Sequence, residues 1–209
     1  MPRYAESERQ SLADLLVTLG PDGPTINEGW ATRDLAAHLV VRDRRPDAAL
    51  GIVFRPLSGH TERLLRAAAT RPYPELIDLL RHPPRWSPVS NPWLDELTNS
   101  MEFYIHHEDV RRALPDWQPR DLSPEHQGAL WKQVRMMARM SLRRFPAALL
   151  VQAPGHGEAS SGAGGEPVRL VGSPGELAVF LMGRQRVARV QLTGSATLTE
   201  RLRTKKLGA

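Results

Sequence analysis

Cysteine is absent from the 209 residues. This excludes disulfides, iron–sulfur clusters, thiolate zinc sites and a cysteine nucleophile. Any metal must therefore be held by His, Asp, Glu or backbone oxygen. Long apolar runs are missing too. No stretch approaches the roughly 18 residues of a membrane-crossing helix, and MPRYAESERQ at the start has no apolar signal-peptide segment. The expectation is a cytoplasmic protein with no membrane partner. Lysine is scarce: of 28 basic residues, 25 are Arg and three are Lys, in a chain of net charge +5. The cations are spread along the chain with acids beside them, as in RDRRPD, TERLLR and HHEDVRR. Nucleic-acid binding needs a concentrated stripe, and only RLRTKK near the end is dense, so no nucleic-acid partner is expected. GxSxG, Walker and GxGxxG motifs are absent. HHEDV is no zincin motif, because Arg111 stands where the second His is required.

What is present is mostly helical patterning. Leu12, Leu15, Leu16 and Leu19 repeat at helical spacing over residues 5–19, before Gly20. Thr32 is placed to cap a helix over 33–44, whose inner face carries Leu35, His38 and Leu39. Further helices are predicted over 59–70, through LIDLL, and over 93–113, with Leu94, Leu97, Met101 and Ile105 in one stripe. Ser123 and Pro124 open a helix running to about Arg144. Leu130, Trp131, Val134, Met137 and Ser141 read as its buried side, and Met136, Met137 and Met140 as a core-packing stripe. After Pro146 the pattern changes. ALLVQ, PVRLV and RVARVQL read as strands, SPGE opens a helix, and Ser195 caps a last one. PGHGEASSGAGGE is rich in Gly and Ser and is expected to be a mobile loop over 154–165 that can be trimmed without loss of stability. The chain thus divides into a helical unit, 1–145, and a small α/β unit, 146–209.

The candidate site is split. Glu102 and His106 are four residues apart, so on a helix both leave the same face one turn apart. A carboxylate on an inner face is costly unless it is paired or metal-bound. Two readings stand: a hydrogen-bonded pair, or two metal ligands. With His38 from the other helix, the set becomes two imidazoles and one carboxylate, three ligands with open positions, a pattern suited to chemistry. Periodicity alone does not bring His38 to the pair. Asp34 and Asp109 are candidates to orient the imidazoles from behind. His107 points about 100° away from His106 and belongs behind the site or on the surface.

At these residues the chain resembles the DinB-like, mycothiol-dependent maleylpyruvate isomerase superfamily. The matching blocks are GPDGPTINEGWATRDLAAHLVVRDRRPDA, MEFYIHHEDVRRALPDW and GSPGELAVFLMGR. The resemblance implies a mainly α fold, an antiparallel four-helix bundle with a C-terminal α/β unit. It also implies a divalent metal, most often zinc, held by His38, Glu102 and His106. The implied function is a thiol transferase or isomerase that joins a low-molecular-weight thiol such as mycothiol to an electrophilic substrate. Arg184 in the GR pair is a candidate for binding an anionic ligand. A metal- or small-ligand-binding protein without catalysis is the alternative, and a homodimer is left open. The family's isomerases carry a larger C-terminal domain, whereas about 60 residues follow the bundle here.

Overall fold

The computed structural model describes residues 3–45, 58–84 and 92–208, the side chains of 58, 92–95, 97 and 98 excepted. The described residues are mainly helical, with one small four-stranded sheet. The chain divides into two compact units, Met1–Trp117 and Gln118–Ala209.

The first unit holds α1 (Tyr4–Leu19), α2 (Thr32–Arg44), α3 (Ser58–Ala69), α4 (Tyr73–Arg81) and α5 (Pro92–Arg111). Its core is aliphatic. Leu12 and Leu16 of α1, Leu35 and Leu39 of α2, Leu76 and Leu80 of α4, and Phe103 of α5 are all fully buried. Helix α1 packs on α5 and α4, and α2 packs on α3 and α4. Met101 and Ile105 are buried as their stripe requires; the Leu94 and Leu97 side chains lie outside the described residues. Thr32 is the first residue of α2 rather than its cap. Its hydroxyl donates to Gly20 O and accepts from Gly23 N, closing the turn between α1 and α2.

The second unit begins with α6 (Pro124–Leu142), followed by β1 (Ala148–Ala153), β2 (Gly157–Ser161), β3 (Pro167–Val171), α7 (Pro174–Leu181), β4 (Gln191–Thr193) and α8 (Ala196–Thr204). The sheet order is β2-β1-β3-β4, with β1 parallel to β3 and antiparallel pairs at either side. Helix α6 packs against α7, β1 and β2. It therefore groups with the sheet, whereas the sequence reading draws the boundary after 145.

Three local expectations change. The presumed loop 154–165 contains β2. Main-chain pairing to β1 needs no apolar side chains, and the one inward residue, Ala159, is buried. The strand read from RVARVQL is only Gln191–Thr193, because Val187 and Ala188 donate back to Arg184 O in a turn. On α6, Ala138 and Leu142 complete the buried side in place of Met137 and Ser141, and Met136 and Met140 are exposed. The Met stripe is not core.

Candidate metal centre

The geometry is built on α5. One turn of helix places Glu102 and His106 side by side, with Glu102 Oε2 3.6 Å from His106 Nε2. On the other side of the ring, His106 Nδ1 is 2.9 Å from Asp109 Oδ2. Asp109 is fully buried. The loop between α1 and α2 grips it twice: Asn27 Nδ2 donates to Oδ2 at 3.1 Å, and Ile26 N donates to the Asp109 carbonyl at 2.9 Å. From α2, the His38 ring stands edge-on to His106 at a centroid distance of 5.2 Å, and it also meets the Trp30 ring at 5.3 Å. His38, Glu102 and His106 are therefore brought together, and Asp109 is behind His106.

The other candidates lie elsewhere. Asp34 accepts from Ala31 N at 2.9 Å and so closes the start of α2. A carboxylate there answers the free N–H groups and the positive end of the helix. His107 is buried, its Nδ1 2.9 Å from Glu8 Oε2 of α1. Arg184 lies in the second unit, where Nη1 donates to the Met182 carbonyl at 2.6 Å, at the end of α7.

Two residues that sequence reading passed over also belong here. Arg42 brings Nε to 3.9 Å from Glu102 Oε2 and donates to Asn99 Oδ1. It is four residues after His38, so the spacing rule that pairs Glu102 with His106 also finds Arg42. Asn27 gives no such signal, because its role depends on a loop folding back across the end of α5.

The electrostatics are those of a crowded site. Burial pushes the Glu102 carboxyl up, but His106, Arg42 and His38 outweigh it and hold its pKa at about 2. Burial also disfavours a cation on His106, and the Asp109 and Glu102 carboxylates outweigh that, so its pKa is raised. For Glu102 a lowered pKa means stability that is present above the ordinary carboxylate range and lost as pH falls toward about 2. Thermal melts from pH 5 down to 3 should therefore fall more steeply for the metal-free wild type than for Glu102→Gln. Parallel curves would show that the ion pairing of Glu102 contributes nothing.

Two solved structures align with this chain. The mycothiol-dependent maleylpyruvate isomerase and a single-site mutant of it each match over 92% of this chain and 96% of their own, at 14% identity and a TM-score of 0.49. No protein-family model matches, and no curated protein does.

Whether these side chains suit a metal can be tested on the geometry. If Nδ1–H of His106 donates to Asp109, Nε2 presents a lone pair to a carboxylate oxygen. Two acceptors facing each other need a cation between them, either a proton or a metal ion. Two donors that share a tetrahedral ion at about 2.1 Å stand roughly 3.4 Å apart, close to the separation seen here and longer than a hydrogen bond. Among the described residues, no group of three or more His, Cys, Asp or Glu side chains is gathered closely enough to hold a metal ion. The Glu102–His106 pair has the spacing of two atoms that share an ion, and the His38 ring lies beside His106.

Proposed function

We propose that this chain holds a divalent metal ion, zinc in the first place, with His38, Glu102 and His106, on a DinB-like four-helix frame. We propose further that it acts on a low-molecular-weight thiol such as mycothiol in a transferase or isomerase reaction. The observation that carries the metal reading is the His106 clamp. Asp109 takes Nδ1, so the free nitrogen is turned to Glu102 at 3.6 Å. The thiol comes from the motif resemblance, which supplies a ligand for the open position.

The residues present would each contribute. Asp109 fixes the tautomer and ring plane of His106, and Asn27 fixes Asp109, so that the donor atom is set before any ligand arrives. Trp30 packs in tilted ring contact against His38 and would help to hold its ring in place. Arg42 neutralises Glu102 while no other cation is present. A bound divalent ion would lower the pKa of a thiol and hold its sulfur beside an electrophilic carbon.

Metal analysis of untagged protein followed by zinc titration tests the reading. One ion per chain is expected, together with thiol consumption in the presence of an electrophile by the loaded protein alone. Glu102→Ala and His38→Ala should each weaken zinc binding at least about tenfold. Failure to bind zinc at micromolar free concentration would sink the proposal. Stoichiometric zinc without thiol consumption would favour the non-catalytic alternative.

A further inference from the structure

The fold leaves one face of α6 bare, and its composition is unlike the rest of the chain. Between Glu125 and Glu158 there is no Asp or Glu, while Lys132, Arg135, Arg139, Arg143 and Arg144 all fall in that interval. At 100° per residue, Lys132, Arg135, Met136, Arg139, Met140 and Arg143 share a stripe about 140° wide. The opposite side, with Leu130, Val134 and Ala138, is buried. All six stripe residues are exposed, and Met136 and Met140 keep 55% and 66% of their surface accessible. The imbalance extends to the whole second unit, where 14 Lys and Arg face 6 Asp and Glu, giving +8. The first unit has 14 against 17, giving −3.

We propose that this face of α6 docks on an anionic lipid bilayer, with the cations on the phosphate headgroups and the two thioethers entering the boundary beneath them. Other occupants fit the face less well. A second copy of the chain would bring the same positive stripe against itself. From Lys132 to Arg143 the helix rises only about 17 Å, so the stripe covers far less than the roughly 800 Å² per partner of a stable protein interface. A nucleic-acid backbone offers nothing to two apolar groups at the middle of the stripe, whereas the headgroup–acyl boundary takes them out of water. A bilayer also needs no shape complementarity. Each basic residue near an anionic surface multiplies partitioning by about fivefold (about 1 kcal/mol), so the four cations of the stripe together reach on the order of several hundredfold. The attachment is superficial: among the described residues no helix is long and apolar enough to cross a membrane. The proposal is independent of the metal centre.

Co-sedimentation of the whole chain with vesicles tests it. One set is phosphatidylcholine alone, and the other has roughly a third phosphatidylglycerol. Binding is expected only to the second set in about 0.1 M salt, falling at least tenfold in about 0.5 M salt, where screening is stronger. Arg135→Glu with Arg139→Glu should weaken it at least tenfold. Met136→Ser with Met140→Ser should weaken it severalfold while leaving the salt dependence. Lys205→Glu with Lys206→Glu, an equal change of net charge off the face, should leave binding within about twofold. The Met pair leaves every charge in place and carries the test alone if the Arg pair does not fold. Three results would overturn the proposal: no preference for phosphatidylglycerol, equal losses for the on-face and off-face charge reversals, or displacement from vesicles by duplex DNA or polyglutamate at equal charge concentration.

Discussion

His106→Ala should emerge from zinc loading with almost no metal. Even the partners behind a ligand are worth ten- to a hundredfold in affinity, so loss of the ligand itself should cost more than about a hundredfold and all thiol-dependent turnover with it. The helical fold should survive. The core of the first unit is supplied by Leu12, Leu16, Leu35, Leu39, Leu76 and Phe103, none of which is a ligand. A cost remains, because Asp109 loses a buried partner and keeps Asn27. About 2–3 kcal/mol is expected for a weakened buried charge network, read as a fall of roughly 4–12 °C in the melting temperature. Zinc content, helicity and activity should be measured on the same sample. Full activity without metal would defeat the enzymatic reading, and global unfolding would make the ion a structural one.

The second large effect is expected far from that site. Gly162 has φ +87°, and a Cβ built there would lie 2.0 Å from the Ala147 carbonyl oxygen. That carbonyl cannot simply move, since Ala147 N is bonded to Phe145 O and the next residue opens β1. Gly162→Ala therefore combines a left-handed backbone, costing about 1–2 kcal/mol, with a main-chain clash. A loss of at least about 3 kcal/mol and roughly 10 °C follows. A melting temperature within a degree or two of wild type would show that the end of β2 is not held as described. Composition alone predicts the opposite, a segment that can be cut away freely.

That contrast shows which parts of the fold can be read from residues in order. Helix ends marked by local chemistry are legible: Gly20 ends α1, and Ser123 with Pro124 and Ser173 with Pro174 open α6 and α7. Strand β2 is not, because its stability lies in hydrogen bonds to β1 and in Ser161 Oγ donating to Ala138 O, partners distant in sequence. The exposure of Met136 and Met140 is likewise invisible to hydropathy, which ranks thioethers with core residues whether or not a neighbour arrives. At the candidate site, the i,i+4 rule finds Glu102 and His106. The approach of His38 is a tertiary fact, and Asp34 is diverted by the nearer demand of its own helix end.

His106 and His107 are adjacent in sequence and face different neighbours, one turned to Glu102 with Asp109 bonded behind it and the other bonded to Glu8 on α1. Together they act as a key with two teeth. Turning α5 about its long axis, even by a fraction of a step, would draw both out of their seats. The angular setting of the donor atoms is therefore not free to adjust when a ligand arrives. Any accommodation of ligands of different size must come from the α1–α2 turn that carries Asn27 and Trp30, or from α2 sliding past its neighbour. Hydrogen exchange on the loaded protein should accordingly change in residues 20–45 and leave the second half of α5 as protected as before.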